Sequence, residues 1–314
     1  MKHRRLLAVG VGTLAATAII AGCGGGGSGS SLSGKILIDG SSTVGPLSIG
    51  AADAFTADNK NVDIQVGTSG TGGGFEVFCK GETDISDASR GIRDDEKAKC
   101  AKAGIQYTEL RVASDGITLV TRKGDNIGKP CITTDELKKI WAKGSTINNW
   151  KDVGAGWNDV KMTLAGPGSQ SGTYDFFNEQ ILGKDAAGKV NPSRQDYSAS
   201  EDDNVTVTAV KAAEGGLGYF GFTYYEENAD ALTALAVDGG AGCVAPRAET
   251  ITDGSYKPLA RPLFIYVKSK SLAQPHVKAF VRYYLQNAVT LAEDNQFVPA
   301  PQASLDEALA KVLA

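Results

Sequence analysis

The chain has 314 residues, of which 42% are hydrophobic and 22% charged, with 36 acidic against 32 basic side chains. That length and composition suit a globular protein with two domains. The net negative charge excludes nucleic acid as a partner held by bulk electrostatics.

The first residues stand apart from the globule. "MKHRR" is a basic start, and Leu6 to Ile20 is an apolar run short for a bilayer span. It ends in "IIAGC", residues 19–23, where the small residues Ala21 and Gly22 precede Cys23, as in a bacterial lipoprotein signal cut before an acylated cysteine; Ile20 stands where leucine is usual. An ordinary secretory signal with an incidental Cys23 is the alternative. "GGGGSGSSLSG" (24–34) has the composition of a flexible tether. The expectation is a signal peptide over 1–22, a lipidated Cys23 with its tether over 23–34, and a domain anchored extracytoplasmically to the cell membrane. Removal of 1–22 leaves 29 basic against 36 acidic side chains, a net charge of −7, so an anion site has to be built locally. Gly10–Ala15 and Gly22–Gly27 match the dinucleotide glycine pattern but lie outside any strand-to-helix context.

From residue 35 short apolar runs alternate with helical patterns, the signature of α/β architecture. "KILIDG" (35–40) is expected as a strand, and Pro46 suits the first turn of a helix through Phe55. "VDIQVG" (62–67) is a second strand, followed by the loop "GTSGTGGGF" (67–75) and a short helix from Phe75 to Lys80. "TDISDASRGI" (83–92) gives a strand and a turn, and a charged helix starts at Asp94. Separate strands are expected at 105–110 and 116–121. The pair Thr133 and Glu136 forms a capping box for a helix ending before Gly144. "KMTLAG" (161–166) leads into the loop and helix "PGSQSGTYDFFNEQILG", and "DDNVTVTAVKAAEGG" reads as another helix. Strands "LGYFGF" and "PLFIYVK" follow, then the periodic helix "HVKAFVRYYLQNAV" and a last helix capped by Ser304 and Glu307. Tyr219, Phe220, Phe222, Tyr224 and Tyr225 read as core and lobe surface, and Trp141, Trp150 and Trp157 as a cluster in the second half.

Four strand-to-helix junctions carry Gly, Ser and Thr together: "DGSSTVGP" (39–46), "GTSGTGGGF", "SDASRGI" (86–92) and "GPGSQSGTYDFF" (166–177). Helix N-termini present unpaired N–H groups with positive partial charge, and open α/β sheets bind ligands at the carboxyl ends of their strands. Several such ends converging on one point grip an oxyanion without net positive charge. With Cys23 set aside, Cys79, Cys100, Cys131 and Cys243 remain, with no zinc spacing. Export favours two disulfides. Closeness in sequence favours Cys79–Cys100, which pairs Cys131 with Cys243; other pairings and free buried thiols remain open.

"DGSSTVGPL", "GTSGTGGGFEVFCKGETDISDASR", "GPGSQSGTYDFF", "SEDDN" and "LGYFGFTYYEEN" closely resemble the phosphate-binding lipoproteins of bacterial high-affinity phosphate ABC importers, over nearly all of residues 35–300. The resemblance implies a type II periplasmic-binding-protein fold: two α/β lobes joined by two crossovers, closing over one phosphate. The crossovers are expected near Val112–Asp115 and Arg261–Leu263, giving lobe I as 35–112 plus 263–314 and lobe II as 113–262. Matched motif by motif, it implies phosphate contacts from Ser42, Thr43, Ser69, Gly70, Ser89, Arg90, Ser171, Gly172 and Thr173. Ser89 and Gly166–Gly168 stand where other branches of the family carry an aspartate and an arginine, so the charges are rearranged. Arg90 is expected at the ligand rather than in a surface ion pair with Asp94 or Glu96. No cofactor or metal is implied; the implied partners are inorganic phosphate and the permease subunits of an ABC importer, met by a monomer.

A carboxylate facing the ligand accepts a hydrogen bond from hydrogen phosphate and repels sulfate, which has no proton to give. Asp115 is the first candidate for that acceptor, followed by Asp87 and Asp203; a cap or hinge contact is the alternative for each. A serine-dependent phosphatase is the contrasting function. His276 is the one histidine beyond the signal segment, no G-x-S-x-G elbow occurs, and "GDNIGKP" (124–130) fails the Walker A spacing. A tethered sensor and sulfate or molybdate capture are further alternatives within the same fold.

Overall fold

Thirteen strands build the frame in the described residues. They are β1 (Gly34–Gly40), β2 (Val62–Val66), β3 (Ile85–Ala88), β4 (Tyr107–Arg122), β5 (Cys131–Thr133), β6 (Thr163–Pro167) and β7 (Ser198–Ser200), then β8 (Gly216–Gly221), β9 (Leu232–Ala234), β10 (Ala236–Asp238), β11 (Cys243–Val244), β12 (Ala260–Lys268) and β13 (Val298–Pro299). The structure, a computed structural model, describes residues 32–313; the expected signal segment, Cys23 and the tether up to Ser31 lie outside the described residues. The main sheet runs in the order β2-β1-β3-β12-β4-β8-β6-β7, with β13 and β9 also on β4, and β11-β10-β5 form a small second sheet. β1 pairs in parallel with β2 and β3, and β6 in parallel with β7 and β8. Between these parallel groups lie β12 and β4, paired antiparallel from Ala260↔Gly116 to Lys268↔Tyr107.

The strands expected at 105–110 and 116–121 are one. β4 runs unbroken for 16 residues, pairing with β12 along its first part and with β8 and β9 along its second. "ASDGI" reads as a turn in isolation. Its backbone stays extended because β12 pairs with it on one side, and Gly116 lets Ile251 pack where a Cβ would stand 2.5 Å from Cδ1.

Two large apolar cores follow from this frame, with smaller clusters around Phe75 and Tyr266 and around Val207 and Phe220. One gathers Ile36, Leu47, Phe55, Ile85 and Leu110 with Leu263, Phe280, Tyr284 and Leu305. The other gathers Ile117, Leu137, Trp150, Phe177, Tyr219 and Leu259, joined by Val298 from β13. Trp150 and Trp157 lie 4.7 Å apart, whereas Trp141 meets Tyr219 edge-on at 4.9 Å. Tyr219, Phe220 and Phe222 are core, and Tyr224 and Tyr225 are partly buried beside it.

The helices used below are α1 (Gly45–Asp58), α2 (Thr71–Cys79), α3 (Asp94–Lys102), α4 (Thr134–Trp141), α5 (Gly172–Phe177) and α6 (Asp203–Ala212). α4 carries its capping box: Thr133 Oγ1 accepts the Glu136 amide at 3.1 Å. α5 continues directly into a π-helical turn over Asn178–Leu182. The final helix, Gln302–Leu313, starts two residues before the expected cap at Ser304, whose amide donates to the Pro301 carbonyl. Both favoured disulfides are formed: Cys79–Cys100 joins the ends of α2 and α3, and Cys131–Cys243 joins β5 to β11.

Candidate functional site

The glycine-rich stretch is less of a loop than its composition suggests. α2 starts at Thr71, four residues before the expected Phe75, so Gly72, Gly73 and Gly74 form its first turn. Gly70 caps the helix at φ +85°, a conformation glycine adopts at little cost. Gly74 is required by contact: a Cβ there would stand 2.5 Å from the Gly40 Cα and 2.9 Å from the Asp39 carbonyl oxygen. The missing side chains let the N-terminus of α2 lie against the end of β1. Asp39 ties the two loops together, accepting the Ser69 amide at 3.0 Å, the Ser69 hydroxyl at 2.8 Å and the Gly40 amide at 2.8 Å.

A cavity of about 430 Å³ opens where these strand ends meet. Ser41, Ser42 and Thr43 line it from the β1–α1 loop, Gly70, Thr71 and Gly72 from α2, and Ser89 and Arg90 from the end of β3. Gly172, Asp175 and Phe176 face them from α5, with Glu179, Gln180 and Lys184 beyond. The gap between the two sides is narrow at one point, where a Cβ on Gly172 would come within 3.5 Å of Thr43 Oγ1. Arg90, Arg93, Lys184 and Arg261 give the walls four basic side chains; Arg90 is paired with Glu96, Lys184 with Glu179 and Arg261 with Asp115, so the cleft offers hydrogen-bond donors from guanidinium and ammonium groups whose charge is largely balanced nearby.

Six of the nine expected contact residues line this cavity: Ser42, Thr43, Gly70, Ser89, Arg90 and Gly172. Ser69 does not, because its hydroxyl is turned to Asp39. Ser171 caps α5, its Oγ accepting the Thr173 amide at 3.1 Å. Thr173 lines a neighbouring cavity of about 330 Å³ together with Asp115 and Asp203. Arg90 is both a cleft residue and an ion-pair partner: its guanidinium donates to both Glu96 oxygens at 2.7 and 2.8 Å. Burial alone would raise the Glu96 carboxyl, but the Arg90 guanidinium and the Arg93 amide hold it below the usual range.

The carboxylate candidates separate by environment. Asp115 is engaged by Arg261, and Asp87 is fully buried beneath the first loop, away from the cleft. Asp203 opens α6 and is pushed up to about 6 by burial, with Asp202, Asp115 and Glu201 adding to the shift. Asp175 lines the main cavity, its carboxylate accepts no hydrogen bond among the described residues, and it is raised by burial, with Glu179 adding and Arg261 opposing.

Arg261, Thr71 and Asp175 are the residues that sequence reasoning missed. The Arg261 guanidinium donates to Asp115 Oδ2 at 2.9–3.0 Å and to Thr43 Oγ1 at 2.9 Å, and lies 3.8 Å from the centre of the Phe176 ring. One planar cation thus touches the first loop, β4 and α5. Its side chain is 13% exposed and that of Asp115 8%. Arg261 and Asp115 are register partners across β12 and β4, which no local sequence pattern reveals. Thr71 Oγ1 lies 3.1 Å from Ser89 Oγ and accepts the Ser89 amide at 3.2 Å, joining the second and third loops.

Comparison with known proteins places this geometry in a family. A model of the PBP superfamily domain matches residues 26–288. Protein SphX of Synechococcus elongatus is 45% identical over 269 residues, covering 85% of this chain and 77% of that one. Phosphate-binding protein PstS of Staphylococcus saprophyticus is 38% identical over 307 residues, covering 96% and 92%. The crystal structure of a possible phosphate binding protein from Planctomyces limnophilus superposes with a TM-score of 0.83 at 39% identity, covering 90% of this chain and all of that one. The chain belongs to the PBP superfamily and, within it, to the family that includes phosphate-binding protein PstS and protein SphX.

Proposed function

We propose that this protein captures inorganic phosphate in the cleft and delivers it to the membrane subunits of an ABC importer. The observation that carries the reading is the convergence of three strand ends, the start of α5 and Arg261 on one cavity. The N-terminal amides of α2 and the hydroxyls of Ser42, Thr43, Thr71 and Ser89 supply neutral donors, and Arg261 and Arg90 supply charge. Lobe I is assigned to 35–112 with 263–314 and lobe II to 113–262, with the hinge where β4 and β12 pass between the two cores. Binding draws the lobes together around the ion. Asp175, open to the cavity, and Asp115, acting through Arg261, are assigned the discrimination of hydrogen phosphate from sulfate. The PstS relatives are named phosphate-binding proteins, and the role proposed here is likewise non-enzymatic, without a cofactor. Acylation of Cys23 holds a monomer at the outer face of the membrane, where the tether lets it reach the permease.

Calorimetric titration of residues 32–314 with phosphate, sulfate and molybdate tests the reading. Micromolar or tighter phosphate binding with no sulfate response supports it. Equal responses to the three anions, or none, would refute it.

A further inference from the structure

A carboxyl group that the binding reading leaves unused lies beneath the first loop. Asp87, in β3, is 0% exposed. Its main-chain oxygen accepts the Ser41 amide at 2.9 Å, so its backbone anchors the loop carrying Ser41, Ser42 and Thr43. Its side chain turns inward instead. Oδ1 accepts the Ser48 hydroxyl of α1 at 2.9 Å, and Ser48 Oγ lies 3.3 Å from the Tyr284 hydroxyl on the helix Pro275–Gln286. No donor reaches Oδ2 among the described residues.

The elements packed around this carboxyl supply no cation. α1 brings Ser48, the helix Pro275–Gln286 brings Tyr284, β12 brings the apolar register partner Ile265, and β1 brings Asp39, a second acid. A carboxylate ion buried with one donor and no counter-charge is costly, whereas the neutral acid is tolerated.

We propose that Asp87 is a neutral carboxylic acid that positions the first anion-binding loop, and that its ionisation loosens Ser41–Thr43 and weakens ligand binding. The inference rests on the phosphate reading for the identity of its ligand. Burial pushes the Asp87 carboxyl up to about 8, with Ser48 opposing and Asp39 adding to the shift. The transition therefore falls just above neutral pH.

The test compares the wild-type protein with Asp87→Asn, whose amide copies the shape of the neutral acid. Phosphate is titrated calorimetrically from about pH 6.5 to about pH 9.5; its own second ionisation is common to both proteins and cancels in the comparison. At the acid end the two affinities are expected to agree within about twofold, and at the alkaline end the wild type is expected to be weaker by about tenfold, one pKa unit's worth of coupling. Profiles that superimpose overturn the proposal.

Ligand-free thermal midpoints over the same range are a second measure. The wild type should lose stability relative to Asp87→Asn as the pH rises, and parallel curves overturn the proposal. If phosphate binds neither protein at any pH, the phosphate reading fails, and the melting curves decide the neutral acid on their own. Ser48→Ala removes the donor to Oδ1 and should move the wild-type transition to higher pH. An unmoved transition counts against the proposal even if Asp87→Asn fails to fold.

Discussion

Replacing Arg261 by methionine keeps most of the side chain's length and removes its charge. Three interactions disappear: the bond to Thr43 Oγ1, the pair with Asp115, and the cation over Phe176. A charged hydrogen bond to the ligand contributes about 1.5–3 kcal/mol, which converts to a loss of about 10- to 150-fold in phosphate affinity. Stability suffers separately, because Asp115 is left 8% exposed without its counter-charge; breaking a buried pair costs about 3–5 kcal/mol. Adding Asp115→Asn removes the stranded charge, so the double variant should regain most of the stability and little of the affinity. Calorimetric titration with phosphate gives the first quantity and denaturant unfolding the second. A single variant that binds phosphate within about twofold of wild type would show that Arg261 does not face the ion, and the cleft assignment would fall.

Three further outcomes are expected. Asp175→Asn should narrow the preference for phosphate over sulfate, since a neutral amide no longer repels a fully ionised anion, whereas Asp203→Asn, in the neighbouring cavity, should leave the ratio nearly unchanged; competition titrations at neutral pH read both. Gly74→Ala should destabilise the fold by about 1–3 kcal/mol and weaken phosphate binding, because its Cβ meets the Gly40 backbone and pushes α2 off β1; an unchanged unfolding midpoint would contradict that contact. Asp87→Asn should raise stability at neutral pH. The native group titrates near 8 and the unfolded one near the ordinary carboxylate value, so the stability it contributes is complete in acid and lost as pH rises through about 8. Relief of that penalty amounts to on the order of 2–4 kcal/mol at pH 7, read by urea unfolding.

Much of the fold was legible because local signals agreed with the global pattern: parallel strands ran as short apolar segments, and Thr133 with Glu136 marked a helix start that the structure reproduces. The errors lie where tertiary contact overrides local preference. Three successive glycines are poor helix formers, yet Gly72–Gly74 are helical because Gly74 fits against β1. "ASDG" carries turn residues, yet lies in the middle of β4 because β12 pairs with it. Most of the cleft was readable from loops that share Gly, Ser and Thr. Arg261 was not, since its role comes from facing Asp115 across two strands that are 146 positions apart in the chain. Ser69 was the more obvious hydroxyl than Thr71, but Asp39 draws it aside.

The ribbon of β4 and β12 also bears on how molecules could become entangled. Exchange of lobes between two copies is a common route to unwanted dimers where the connections are loose loops. In the lobe division proposed above, both connections belong to strands zipped to each other from Ala260↔Gly116 to Lys268↔Tyr107. A swapped dimer would first have to unzip that ribbon and abandon the apolar seam beneath it. The same zipper therefore opposes exchange, between two copies, of the segments that flank it.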